Sequence, residues 1–288
     1  MGDSTTTTTK DVEAMSVKEL KALIASAGLS AVGLAEKSEL RERAREAVAR
    51  LAVGQQERKT QQHAWSPRYE YVNGGERECE LAVILMHGIG ASSDDLVPLA
   101  SSLAEGLRGA GAVFVFPGAP NGQWWPFPPQ FMSAIAGGEQ ALAKLIRTEF
   151  PGLANCRSLG ASLITEVRTR HPKAKIVLGG FSQGAMTSTD IAMHTPVDAI
   201  LHLSGAPIDV ENWAKRLQNG SLKKKPLVYI SHGKQDFVLP FFASQWTKLL
   251  FEQANCDVTY RPHDGMHTIG PLEPIAGFLI KTLFNSSS

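Results

Sequence analysis

The chain has 288 residues, 43% of them hydrophobic, which suits one large α/β domain with a small appendage and excludes a disordered chain. With 29 basic residues against 28 acidic ones the net charge is +1, so composition gives no footprint for nucleic acid or for an anionic membrane surface. Three cysteines, Cys79, Cys156 and Cys256, form an odd set without metal-ligand spacing, which implies reduced thiols in a cytoplasmic setting rather than a disulfide framework or a zinc site.

In chain order, residues 1–13 begin "MGDSTTTTTK" and are expected to be a disordered polar tail. Gly2 with Thr6 formally meets the M-G-x-x-x-[ST] myristoylation pattern, but Asp3 beside the acceptor glycine is a poor context for it. No apolar run reaches the ~18 residues of a transmembrane helix; the longest, around Leu81 to Met86, reads as a buried strand. Ser16-Val17-Lys18-Glu19 is a capping box that starts a helix, with Leu20, Leu23 and Ile24 on one face and Gly28 as a natural stop. A second helix is expected from Glu36 to Leu51, turning Leu40, Ala44, Ala47, Val48 and Leu51 inward and Arg41, Glu42, Arg45 and Glu46 outward.

Residues 14–51 thus read as a helical hairpin. With its E-K-S-E-L stretch at Glu36 to Leu40, it resembles the SAP-like helical mini-domains found fused to unrelated proteins. SAP domains proper bind DNA, yet seven basic against five acidic residues between Ser16 and Leu51 is a thin basis for gripping phosphates. A protein partner through residues 14–51 is the reading taken, with a helical pair packed on the main domain as the plainer alternative.

Residues 52–67 are polar and aperiodic and read as a linker, with the main domain spanning 68–285. There strand-like runs alternate with helical periods: "RYEYVNGGERECEL", "LAVILM", a helix from Asp94 to Gly109, "AVFVF", a helix from Leu159 to Arg170, "KIVLGGF", a helix from Gln183 to His194, "AILHLS", "PLVYIS", a helix from Phe242 to Asn255, "DVTYRP", and a last helix around Ile275 to Phe284. Such alternation implies a mostly parallel sheet with helices on both faces. The leading segment, with its Asn-Gly turn, reads as a hairpin and suggests an antiparallel edge.

One stretch, "KIVLGGFSQGAMTS", places Ser182 between Gly180 and Gly184 where a strand must become a helix within a residue or two. A residue at such an apex takes positive φ, and its neighbours two positions away must be small. Its Oγ then stands at the carboxyl edge of the sheet beside a helix N-terminus, where developing negative charge is favoured. Ser182 is therefore a candidate nucleophile, an N-capping serine in a tight turn being the alternative. A base and an orienting acid should follow in the order Ser, Asp or Glu, His. "PLVYISHGKQDFVLP" supplies Asp236, with Asp209 in "SGAPID" as runner-up, and "DVTYRPHDGMHTIG" supplies His267, with His263 competing. The i, i+4 spacing of His263 and His267 mimics a metal pair, but Gly265 between them and the absent H-E-x-x-H helix argue against a metal. The glycine-rich "LMHGIG" offers the Ile89 amide as an oxyanion donor beside the Gln183 amide.

"LMHGIG", "GFSQGAMTS", "HGKQDFVLP" and "GMHTI" together resemble the acyl-protein thioesterase, carboxylesterase and lysophospholipase family of α/β-hydrolases over about residues 69 to 285. The resemblance implies a serine hydrolase without cofactor, with nucleophile Ser182, base His267, acid Asp236 and oxyanion amides at Ile89 and Gln183. Its substrate would be a small acyl ester or a lipidated molecule. Departures at Ala91, Ala185 and Met86 remove no catalytic atom. Residues 117–140 differ more, looking like esterase relatives with a paired-tryptophan segment; Trp124, Trp125 and Phe127 are read as the wall of an acyl groove, with core sealing as the alternative. From another functional class, a catalytically silent hydrolase scaffold acting as a binding protein would carry the same triad order.

Overall fold

The computed structural model describes residues 11–27, 29–31, 34, 36–60, 64–74, 79–219, 222 and 224–284. Gly2, Thr6 and Gly28 lie outside the described residues, as does most of the expected tail. The chain divides into two compact units, residues 1–62 and 63–288.

In the first unit, helix α1 (Val17–Ser26) starts at Ser16, whose Oγ accepts the Glu19 amide at 3.3 Å while Glu19 Oε2 accepts the Ser16 amide at 2.7 Å. Helix α2 (Lys37–Thr60) packs Leu40 and Ala44 against Leu20, Ile24 and Val12 in a small core. Arg41 and Arg45 both bind Glu13, tying the short turn ahead of α1 to α2. The segment expected to be a linker is therefore helical as far as Thr60. Its Gln-Gln-Glu-Arg-Lys run is rich in good helix formers and contains no proline, which lets the helix continue past Leu51.

The second unit is built on seven strands: β1 (Arg68–Val72), β2 (Leu81–Met86), β3 (Ala112–Phe116), β4 (Lys175–Phe181), β5 (Ala199–Leu203), β6 (Leu227–Gly233) and β7 (Val258–His263). They lie in the order β1-β3-β2-β4-β5-β6-β7, parallel except for β1. Strands β2, β3, β5 and β6 are buried at every position, because helices cover both faces. Ala82, Ile84 and Met86 point into one core layer and Leu81, Val83 and Leu85 into the other. The helices are α3 (Pro98–Ala104), α4 (Pro129–Ala136), α5 (Glu139–Leu145), α6 (Leu153–Arg170), α7 (Gln183–Ala192), α8 (Val210–Gln218), α9 (Phe242–Gln253) and α10 (Leu272–Phe284). This is the α/β-hydrolase arrangement.

Strand β1 is an antiparallel edge paired with β3 (Arg68 opposite Phe116), and the second arm of the expected hairpin falls on a segment of which residues 75–78 lie outside the described residues. Both sides of β2 are taken by β3 and β4, and the polar Arg68 and Glu70 of β1 suit only an edge. The helix expected from Asp94 to Gly109 reduces to α3 flanked by single 3₁₀ turns, since Pro98 admits a helix start but no helix through it. Helices α4, α5 and α8 were hidden by the Pro- and Gly-rich composition around them.

The helix after Ser182 is anchored by a buried charge cluster. Arg157 of α6 binds Asp190 of α7 at 2.8 and 3.0 Å and Asp209 at 2.7 Å, and Trp213 Nε1 donates to Asp190 at 2.9 Å. Asp190 is fully buried, so its charge is tolerable only while Arg157 is present. Arg157→Met should destabilise the folded chain by about 3 kcal/mol or more in urea titrations. A loss under about 1 kcal/mol, the level of a surface ion pair, would show that the cluster does not anchor α7.

Candidate active site

Ser182 has φ 56° and ψ −120°, a conformation that side chains rarely adopt, at the junction of β4 and α7. The turn is possible because the backbone closes on itself and on β2. A Cβ on Gly184 would lie 2.0 Å from the Met86 carbonyl oxygen, and one on Gly180 would lie 2.5 Å from the same atom. The Ser182 amide donates to Leu203 O at 2.9 Å, holding the apex to β5.

His267 comes to Ser182 from the loop after β7. Its Nε2 is 2.9 Å from Ser182 Oγ and its Nδ1 is 2.6 Å from Asp236 Oδ2. Since a carboxylate only accepts, Nδ1 carries the hydrogen, and Nε2 is left to accept from the serine hydroxyl. The loop is set by backbone packing: Lys234 N donates to His263 O at 2.8 Å, Gln235 N to Gly265 O at 3.1 Å, and Ser204 Oγ to Thr268 O at 2.7 Å. Asp236 Oδ1 accepts the Val238 and Leu239 amides at 2.8 and 2.9 Å. Burial alone would raise the Asp236 carboxyl, but hydrogen bonds from His232, His267 and the Leu239 amide outweigh it and hold the group well below the usual carboxylate range.

The competing residues are engaged elsewhere. Asp209 sits in the Arg157 cluster, also accepting from Asn212 at 3.0 Å. His263 accepts the Gly265 amide on Nδ1 at 3.1 Å, a local bond within its own loop. Burial raises the thiols of Cys156 and Cys256 to about 12 and about 11, which makes them poor nucleophiles.

Beside the serine, Gly88 lies so close that an added Cβ would be 3.4 Å from Ser182 Cβ. The Ile89 amide follows it, and the Gln183 amide opens α7; neither has a protein acceptor among the described residues. His87 Nε2 accepts the Ala119 amide at 3.0 Å, so its Nδ1 donates to Gly88 O at 2.8 Å, and burial keeps the ring neutral by lowering its pKa. Gly90 N donates to Gly122 O at 2.8 Å.

Trp124 and Trp125 are turned into the core. Trp124 Nε1 donates to His87 O at 2.8 Å and its amide to Gln183 Oε1 at 3.1 Å; Trp125 Nε1 donates to Thr187 Oγ1 at 3.0 Å, and its carbonyl accepts Gln183 Nε2 at 2.9 Å. The pair links the loop after β2 to α7, and Trp125 stacks on Phe150, where a groove wall was expected. Phe127 does line a cavity of about 270 Å³ that opens at Ser182, together with Ile89, Met132, Ile135, Met186, Val238 and Leu239. Ile135 reaches the same cavity three residues after Met132 on α4, a helical spacing that the Pro- and Gly-rich surroundings of α4 conceal.

The family model described as phospholipase/carboxylesterase matches residues 135–279, half of the chain. The chain belongs to this family. It is accordingly a hydrolase of carboxylic esters or thioesters. Curated relatives include acyl-protein thioesterase 1 of Aspergillus fumigatus, 28% identical over 75% of this chain and 94% of the relative, and that of Saccharomyces cerevisiae, 28% identical over 70% and 92%. Among solved structures, esterase PE8 superposes with a TM-score of 0.58 at 21% identity, covering 75% of this chain and 99% of its own. Acyl-protein thioesterase 2 of Zea mays gives 0.53 at 16% identity, over 75% and 99%. At these identities the superpositions speak for the fold. Among the described residues no helix is long and apolar enough to cross a membrane.

The esterase's elbow has no room for a methyl group at position 184. Gly184→Ala should leave little folded protein or, where it folds, lower turnover by about 100-fold or more, since a shift near 1 Å at the reacting atoms costs that much. Soluble expression and ester hydrolysis read the outcome, and wild-type levels of both would contradict the close approach to Met86.

Proposed function

We propose that Ser182, His267 and Asp236 are the nucleophile, base and acid of this hydrolase, and that Ile89 and Gln183 supply the oxyanion amides. The unbroken hydrogen-bonded chain from Ser182 through His267 to Asp236 is the observation that carries the reading. His267 takes the hydroxyl proton as Oγ bonds to the acyl carbon, and the carbonyl oxygen becomes an oxyanion between the two amides. Collapse expels the alcohol or thiol, which receives that proton from His267, and leaves an acyl-enzyme. Water, deprotonated by His267, then releases the acid and restores the serine.

The lining of the cavity supports a substrate class: seven apolar side chains and no charged one favour an uncharged acyl chain over a polar acid. At about 270 Å³ it falls below the ~300 Å³ floor for larger ligands and fits a single chain of short to medium length. We further infer a cytoplasmic enzyme in which residues 14–51 dock a protein partner. Support comes from three unpaired cysteines and from the separate core of the hairpin. Deleting residues 1–62 should leave turnover intact and change what co-purifies; lost turnover would sink that assignment.

Ser182→Ala should abolish hydrolysis of p-nitrophenyl esters, and Asp236→Asn should lower kcat by about 10⁴-fold. Asp209→Asn should instead cost stability through Arg157, and the reverse ranking on turnover would refute the choice of acid. A fluorophosphonate probe that fails to label Ser182 would return the silent-scaffold alternative. Across esters from acetate to palmitate, kcat/KM should peak at short to medium chains. Ile135→Trp, which fills the cavity, should move that peak to shorter chains, and an unmoved peak would place the acyl chain elsewhere.

A further inference from the structure

One buried side chain on the triad acid has no part in the proton transfers. His232, near the end of β6, is completely buried, and its Nε2 lies 3.1 Å from Asp236 Oδ2 and 2.9 Å from Leu239 O. Both partners only accept, so Nε2 carries a hydrogen and shares it between them. The other ring nitrogen, Nδ1, has no hydrogen-bond partner. All the polar contacts of the ring are thus spent on the acid and on the residue whose amide binds the acid's other oxygen.

Asp236 Oδ2 consequently receives two side-chain donors, His267 at 2.6 Å and His232 at 3.1 Å. A donor on a carboxylate draws off part of its negative charge, leaving less to stabilise the imidazolium that His267 becomes in the transition state. It also fixes which oxygen faces His267 and locks the 236–239 loop, whose Val238 and Leu239 line the acyl cavity. A leucine would fill much of the same space without stranding a buried nitrogen, so packing alone does not account for a histidine here.

We propose that His232 is a positioning residue of the hydrolase: by donating from Nε2 to Asp236 and Leu239 it orients the acid toward His267 and moderates the basicity of that pair. This rests on the triad reading given above. Other titratable groups around the site are His202 on β5, which burial lowers to about 3, and His263 on β7, also lowered by burial. Tyr260 on β7 is raised by burial and stays neutral, and Lys234 pairs with Asp264 at the surface. His263→Gln, assayed alongside, separates any contribution of His263 to the acid limb of kcat/KM from that of the Ser182–His267–Asp236 chain.

The test compares His232→Gln, whose amide nitrogen reaches the Nε2 position, with His232→Asn, which is polar but too short, and His232→Leu. Each is assayed on a p-nitrophenyl ester across pH, beside Ser182→Ala. Asn and Leu should lower kcat about 10- to 100-fold with KM little changed, as loss of a group that holds a functional residue in place commonly does. They should also move the acid limb to higher pH, while Gln restores both toward wild type. Equal losses in all three variants with an unmoved limb would reduce His232 to packing and overturn the proposal. Activity that survives in Ser182→Ala would instead overturn the triad reading itself. Should none of the His232 variants fold, nitrogen-15 shifts of the unsubstituted protein decide: a protonated Nε2 is required, and a bare Nε2 overturns the assignment.

Discussion

The close approach of the β4–α7 turn to the backbone of β2 is the constraint on which the rest of the site depends. Two glycines face one carbonyl oxygen, that of Met86, with no room for a side chain at either position. Holding a serine at φ 56° costs on the order of 1–3 kcal/mol, and only a turn fixed from several sides can sustain it. The Leu203 carbonyl fixes it from β5, and the Arg157–Asp190 cluster fixes the far end of α7. The strain is thus met by ordinary hydrogen bonds and ion pairs in flanking elements. What it provides is a serine hydroxyl at the cavity, beside the Ile89 and Gln183 amides, which have no protein acceptor among the described residues.

A second brace acts on the loop that carries Ile89. The paired tryptophans reach from residues 124 and 125 to His87, Gln183 and Thr187, linking the loop after β2 to the first turn of α7. If the Ile89 and Gln183 amides bind an oxyanion as proposed above, they must point at one small volume, and a rigid bridge between their carriers meets that need. His87 adds to it by accepting from Ala119, which fixes its tautomer and the course of the loop. These residues need not touch the substrate to matter for turnover.

Much of this was legible in the sequence, for reasons that differ between residues. Gly180, Ser182 and Gly184 were readable because a strained turn permits few residue types, so the local pattern carries the geometry. Alternating strands and helices made the parallel sheet readable, although the partner of β1 depended on which neighbours β2 already had. The roles of Trp124 and Trp125 were not readable, since an aromatic pair in a Pro- and Gly-rich segment can face a groove or the core with equal chemistry. Met132, Ile135, Met186, Val238 and Leu239 meet only in three dimensions, coming from α4, α7 and the loop after β6. The family resemblance implied the proposed triad positions and includes His232 in "HGKQDFVLP" without giving it a role, since its bond to Asp236 is visible only in the folded chain.

The loop from Asp236 to Leu239 joins the residue proposed as the acid to the wall of the cavity at Ser182. Its backbone amides at 238 and 239 bind Asp236 Oδ1, while the same two residues wall the cavity at Ser182. A bulkier substrate that pushed Val238 or Leu239 outward would lengthen the bonds to the acid and slacken its hold on His267. Poorly fitting chains would then be rejected in kcat as well as in KM, which is discrimination exerted in the transition state. Leu239 also presents its carbonyl to His232, so three functions meet on one residue that an apolar reading of the sequence would class as core. A loop so constrained can change its side chains within narrow volume limits, but its backbone path is bound to the chemistry.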